Sequence, residues 1–132
     1  MDSLRIPSRS NSGRAADGST LQHLRAERRR ERLQALQEAA AALVAGRRGW
    51  EVWLFGSWAR GDWDSRSDVD LIAVAPTREE ANTCADGLLS ACLGDDVIAL
   101  DAAQWQERRH SQDPHWRGII RDAIRLTPQD GR

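Results

Sequence analysis

Apolar positions in this chain fall into short blocks separated by glycine, proline or polar breaks, and the period inside each block predicts an element. From Met1 to about Ser19 there is hardly any apolar content. Such a segment cannot bury enough surface to offset its ordering entropy, so a disordered leader is expected over 1–19. From Thr20 to about Ala45 the residues Leu21, Leu24, Leu33, Leu36, Ala40, Leu43 and Val44 recur at helical spacings and make one apolar stripe, with a charged middle at Arg28 to Arg32 and a stop at Gly46. This helix is expected to pack on a sheet through its alanine-rich EAAAAL part, its first turns projecting from the body. Trp50 to Phe55 is nearly continuous in apolar character and predicts a strand buried on both sides, and Gly56 to Arg60 a short helix.

A second strand is expected over Val69 to Ala75, ended by Pro76. Thr77 and Glu80 then predict a capping box for a helix running to Leu93, with Ala81, Cys84, Ala85, Leu88, Leu89 and Cys92 on its buried face and Gly94 closing it. Asp95 and Asp96 precede a third strand, Val97 to Leu100. Two further helices follow over Ala102 to His110 and His115 to Leu126, the second with Pro114 at its start and a stripe of Trp116, Ile119, Ile120, Ala123 and Ile124. The sum is an α/β (α+β) fold: a small mixed β-sheet of three or more strands flanked by helices.

Composition bounds this picture more than it changes it. A length of 132 residues has room for one ordinary domain, here 20–127 between the leader and a 128–132 tail, and shares of 40% hydrophobic and 30% charged residues fit a soluble globular chain. No run of about 18 apolar residues offers a membrane span, and the first residues lack the apolar core of a signal peptide. A cytoplasmic setting is the default. Cys84 and Cys92, eight apart on a predicted helix, would stand roughly 12 Å apart at about 1.5 Å rise per residue, too far for a disulfide. Both read as small core residues, and with no Cys/His cluster nearby zinc is not implied.

Net charge is -1, unevenly spread. Residues 1–48 hold ten arginines against five acids and the remainder nine against fifteen, a balance of +5 on the head and -6 on the body. Such a head could meet nucleic acid or an acidic partner, or serve as a solvated helix face. Lysine is absent, so the arginines also reflect coding bias.

The chemistry is concentrated in WLFGSWARGDWDSRSDVD, Trp53 to Asp70. Gly56, without a Cβ, permits a sharp turn and close approach of a ligand, and Ser57 adds a hydroxyl beside freed N–H groups, which suits an anion. Asp68 and Asp70 leave the same face of an extended segment while Val69 points away; two such carboxylates repel each other unless a cation lies between them, and hard oxygen ligands suit Mg²⁺. A phosphate-holding turn beside a carboxylate pair describes a site for a nucleoside triphosphate. Arg60, one turn on, is placed to assist an anion or brace the loop. Asp62, Asp64 and Asp68 alternate like a calcium loop, but the sixth position is Ser67, not glycine, and the twelfth is Ala73, not glutamate, so turn chemistry accounts better for Asp62, Asp64 and Ser65. Trp58 and Trp63 either cover the sheet edge or offer a face to a base. His110 and His115, isolated from other ligand types, read as cap or surface residues.

Ten residues separate Ser57 from Asp68. With that spacing the stretch resembles the GS-x10-DxD signature of the polymerase-β-like nucleotidyltransferase superfamily, and GSWARGDWDSRSDVDL resembles the form found in the small bacterial minimal nucleotidyltransferases. The likeness covers about 105 residues and implies the nucleotidyltransferase fold. It implies catalytic, metal-binding carboxylates at Asp68, Asp70 and a third on the adjacent strand, matched by Asp96 with Asp95 competing; two Mg²⁺ ions; ATP as substrate; and phosphate contacts from Gly56 and Ser57, with Arg60 or Ser67 behind them. Small relatives often act as antitoxins that AMPylate a tyrosine of a helical HEPN ribonuclease toxin encoded beside them, so a HEPN-type partner is the expectation, with nucleic acid not implied. The chain contains no tyrosine, which excludes self-modification on that residue. Two other readings stay open: a homodimeric nucleotidyltransferase acting on a small molecule, and a nucleotide- or partner-binding module without turnover. The arginine-rich helix from Arg25 to Arg32 could serve a partner or a dimer.

Overall fold

The structure, a computed structural model, describes residues 7–63 and 67–128, with side chains from Thr20 onward. Residues 1–6 of the expected leader and 129–132 of the expected tail therefore lie outside the described residues, as do Asp64, Ser65 and Arg66 of the expected turn. The first helix, α1 (Pro7–Val44), begins earlier than the Thr20 start that the apolar stripe predicts, since extending an existing helix adds a hydrogen bond for each residue fixed. The chain divides after Gln34 into two compact units. In the first, Leu21 and Leu24 are exposed and Arg30 pairs with Glu27 at 3.0 Å. In the second, Leu36, Ala40 and Val44 are buried, so the stripe does core work only in its C-terminal half.

The second unit is a mixed sheet between helices. Its elements are β1 (Glu51–Phe55), α2 (Ser57–Arg60), β2 (Asp70–Ala75), α3 (Arg78–Ser90), β3 (Asp96–Asp101), α4 (Ala102–Arg109), α5 (Pro114–Asp122) and β4 (Ile124–Arg125). The strand order is β3-β2-β1-β4, with β2 and β3 parallel and the other pairs antiparallel. The parallel pair is joined by α3, the long crossover such a pair requires.

Register sorts the side chains into rows. Phe55, Asp70 and Asp96 share the end row, Trp53, Ile72 and Ile98 the next, and Glu51, Val74 and Leu100 the third. Partners in register share a face. That face is closed by Trp105 of α4 and Trp116, Ile119 and Ile120 of α5, which pack on Ile72, Val74 and Leu100. The opposite face presents Val52, Leu54, Leu71 and Ala73, fully buried like Ala81, Cys84 and Leu88 of α3. Burial on both faces explains why β1 and β2 read as continuous apolar runs.

Three element ends differ from the sequence reading. The last helix does not continue to Leu126: Ala123 turns extended, and Ile124 and Arg125 pair with Leu54 and Trp53 of β1. The open edge of β1 supplies backbone partners, for Leu126 N–H donates to Val52 O at 2.8 Å and Val52 N–H to Thr127 Oγ1 at 3.3 Å. The long crossover helix stops at Ser90 rather than Leu93. Cys92, not Gly94, takes the left-handed position at φ 58°, with Cys92 N–H donating to Leu89 O and Leu93 N–H to Leu88 O, a Schellman closure. Cys92 and Leu89 are consequently exposed, against the core role expected of both, while Cys84 is buried as expected. Gly94 serves packing instead, since a Cβ there would stand 2.7 Å from Leu71 Cδ1. At the other end of α3, Thr77 Oγ1 accepts from Glu80 N–H at 3.1 Å, but the Glu80 carboxylate accepts from Trp50 Nε1 at 2.8 Å and from Thr77 Oγ1 rather than closing a full capping box. Among the described residues, no helix is long and apolar enough to cross a membrane.

A non-glycine residue in the left-handed region carries a steric penalty on the order of 1 kcal/mol. Cys92→Gly is therefore expected to stabilise the protein by up to about 1 kcal/mol, read as a higher urea midpoint at unchanged slope; a lower midpoint would show that the cysteine side chain contributes more than its backbone costs.

Candidate active site

The end row of the sheet carries the acidic groups because the apolar rows behind it fix where they fall. With Ile72 and Ile98 held under α4 and α5, the next residues toward the strand starts, Asp70 and Asp96, must sit side by side on the same face, about 4.8 Å apart across the ladder. Asp68 precedes Asp70 by two and lines the same cleft. Across the antiparallel partner, β1 ends in Phe55 opposite Asp70 and turns at Gly56 into α2.

Gly56 is required here for a reason more specific than a tight turn. Its φ is 81°, and a Cβ at that position would collide with Asp70 Oδ2 and stand 3.3 Å from Asp70 Cγ. The glycine makes room for the carboxylate itself. Asp70 is half-buried, and its carboxyl is pushed above its ordinary value of 3.8, first by loss of solvent, then by repulsion from Asp96, Asp68 and Asp95, with Arg60 acting weakly the other way.

The two candidates for the third carboxylate are used differently. Asp95 turns back to accept from Val69 N–H at 2.8 Å, while its own N–H donates to Val69 O at 2.8 Å, so it ties β3 to the segment before β2. Asp96 is exposed, in register with Asp70, and precedes the other acids among the charges acting on it.

Gly56, Ser57, Arg60, Asp68 and Asp70 line one cleft of about 470 Å³. Arg60 Nε pairs with Asp62 at 3.2 Å with both side chains about half exposed, so it braces the loop at the cleft rim. Ser67 does not line the cleft; its carbonyl accepts from Trp58 Nε1 at 3.3 Å. Trp58 and Trp63 stack on each other, 4.2 Å between centroids and 8° from parallel, and are only 7% and 3% exposed. They close the loop rather than offering a face to a base.

The opposite wall comes from α5: His115, Gly118, Ile119, Arg121 and Asp122. The sequence reading placed none of these in the site and took His115 for a cap or surface residue. Asp113 is the cap, accepting from His115 N–H at 3.0 Å, and His115 lies in the cleft lining. The only signal in the chain was the phase of the terminal helix: Ile119 and Ile120 face the sheet, which carries His115 and Asp122 to the cleft side.

Among the described residues, no group of three or more His, Cys, Asp or Glu side chains is close enough to hold a metal ion alone. The carboxylates nevertheless suit Mg²⁺, which is bound by one or two carboxylates with substrate phosphates and water completing its shell rather than by an all-protein cage. The unbalanced acidity around Asp70 is the electrostatic condition such an ion relieves.

Comparison with known proteins bears on the family and the fold. The family profile described as a nucleotidyltransferase domain matches residues 33–120. The crystal structure of a candidate nucleotidyltransferase from Sulfolobus solfataricus is similar in fold, with a TM-score of 0.50 and 24% identity over 76% of this chain and 85% of that one. No curated protein matches.

Because folding raises the Asp70 pKa, the folded state holds its proton more tightly than the unfolded one, and stability falls as pH rises from 3.8 through the raised value. Asp70→Asn is therefore expected to raise the metal-free thermal midpoint, by an increment that grows from acidic to neutral buffer; scanning calorimetry in chelator checks both the sign and the trend. Gly56→Ala should lower stability by about 1–3 kcal/mol from its glycine-only backbone conformation alone, and displace Asp70, so that ligand binding falls more than stability predicts; equal losses would mean that the carboxylate tolerates the methyl group.

Proposed function

Since the chain belongs to the nucleotidyltransferase domain family, we propose that it transfers an adenylyl group from ATP, with Mg²⁺, to a hydroxyl on a protein, acting as an antitoxin on a HEPN-type ribonuclease toxin. One observation carries the transfer reading: Phe55, Asp68 and Asp70 line one cleft with the Gly56–Ser57 turn, and Asp96, outside that lining, stands in register beside Asp70. The protein acceptor and the toxin partner rest on the form of the motif, GSWARGD followed by SDVDL, and on a cleft that stands open beside α5 for a large partner to reach.

In this reading Asp68, Asp70 and Asp96 would hold the magnesium, which would supply neutralisation of the triphosphate and acidification of the attacking hydroxyl. Ser57 offers its hydroxyl and N–H to the outer phosphates, and Arg60 and Arg121 add positive charge at the rim. The acceptor oxygen bonds to the α-phosphorus, the bond from that phosphorus to the β-bridging oxygen breaks, and pyrophosphate leaves. Asp96, exposed and beside Asp70, accepts the acceptor's proton. Positioning and charge balance supply most of the rate.

Calorimetry should detect ATP binding that depends on Mg²⁺; its absence would sink the transfer reading. The double substitution Asp68→Ala with Asp70→Ala should reduce transfer by about 10²–10³-fold or more while the far-ultraviolet spectrum is kept. Incubated with α-labelled ATP and the product of the adjoining reading frame, the protein should label a tyrosine of a helical partner carrying Arg-x4–6-His. Label entering a small molecule from lysate would instead favour a small-molecule acceptor.

A further inference from the structure

Around the corner from the cleft, the C-terminal end of α4 and the outer side of α5 enclose a second, shallower pocket of about 350 Å³. Arg109, His110, Arg117 and Arg121 line it, with Ile120 at its base. Arg121 belongs to both cavities, so the two adjoin. We propose that this pocket is the docking site for a carboxylate-rich segment of the acceptor protein, holding the acceptor while its hydroxyl reaches the cleft. The proposal rests on protein transfer as set out above and adds the chemistry of the contact.

Two of the pocket's arginines, Arg109 and Arg117, are not consumed by ion pairs among the described residues. Among the described residues, no carboxylate lies within ion-pair distance of Arg109 or Arg117, and of the nearby acids Asp122 pairs with Arg121 at 3.4 Å while Asp113 caps α5. Arg108 and Arg109 in the last turn of α4 also favour its C-terminal dipole, but Arg117 lies in the interior of α5, where no such reason applies. Aromatic rings hold one of the pocket's arginines in place: Arg109 lies 5.9 and 5.8 Å from the Trp53 and Trp105 ring centres. A guanidinium fixed in orientation is prepared for bidentate contact with a carboxylate.

The alternative polyanion, single-stranded nucleic acid, fits less well. Such ligands stack on exposed aromatic faces and follow an extended basic groove. Here Trp105 is buried, Trp53 and Trp116 lie under arginines, and Trp58 and Trp63 cover each other. The basic patch is also confined on a body whose balance beyond residue 48 is -6, which would repel a long polyanion beyond the pocket while admitting a short acidic segment.

The test uses the full chain and two labelled probes, a hexaglutamate peptide and an oligouridylate, in fluorescence anisotropy at low and moderate salt. The peptide should bind, bind less at higher salt, and lose about tenfold or more in affinity in Arg109→Glu with Arg117→Glu, as expected for two charge-assisted contacts. Magnesium-dependent ATP binding should be unchanged, because neither residue lines the cleft. Arg117→Glu alone, which removes none of the arginine–tryptophan ring contacts, should lose part of the peptide affinity and guards against a folding defect in the double variant. Binding of the oligouridylate in preference to the peptide would overturn the proposal, as would peptide binding indifferent to these substitutions or no binding of either probe. Loss of ATP binding in the wild-type chain would instead strike the transfer reading, so the two failures are distinguishable.

Discussion

Repulsion among carboxylates at the end of a sheet is the constraint on which this structure turns. Asp70 has Asp96 beside it across a parallel ladder, Asp68 two residues before it and Asp95 nearby, and its own partial burial removes some of the water that would have screened it from them. Nothing in that row is self-stabilising. What holds it is the apolar packing behind: Ile72, Val74 and Leu100 against Trp105 on one face, and Leu54, Leu71 and Leu88 on the other, each worth on the order of 1.5–3 kcal/mol of burial. The missing Cβ of Gly56 completes the arrangement by leaving the Asp70 carboxylate room against the turn. Core and site are thus one construction, with hydrophobic registry setting charged groups where they would not settle alone.

Opposite charges are separated in the same unit. Carboxylates collect at the strand starts, arginines on α4 and α5, and the cleft lies between them with Arg60 and Arg121 at its edges. A triphosphate bearing metal ions presents both signs, and a cleft with an acidic floor and basic rims is complementary to both. This segregation is invisible in a net charge of -1.

How much of this was legible in the sequence depended on the range of the interaction. The Gly56–Ser57 turn, the Asp68–Asp70 spacing and three of the strands are written in local patterns with periods of two or ten residues. Asp96 was reached only through the family resemblance, with Asp95 competing; in the structure Asp96 is in register with Asp70 and Asp95 is engaged with Val69. What the pattern could not carry was long-range. Ile124 continues a helical stripe on paper, but the open edge of β1, seventy residues earlier in the chain, offers backbone partners that no periodicity registers. Trp58 and Trp63 look like available faces until they are found against each other. His115 gave no chemical signal because its neighbours in the cleft come from β1 and the loop before β2.

The short strand β4 bears on motion rather than on architecture. The wall of the cleft, α5, is fastened at its start by the Asp113 cap and at its end by a two-residue ladder to β1 with the buried Leu126 and Thr127 behind it. Local opening follows the weakest fastening, and a two-residue edge ladder has few bonds to lose compared with the six paired positions of β2 and β3. Amide protons of β4 are expected to exchange faster than those of the parallel strands. The α5 wall of the cleft is thus closed at its far end by a shorter ladder than the acidic row it faces.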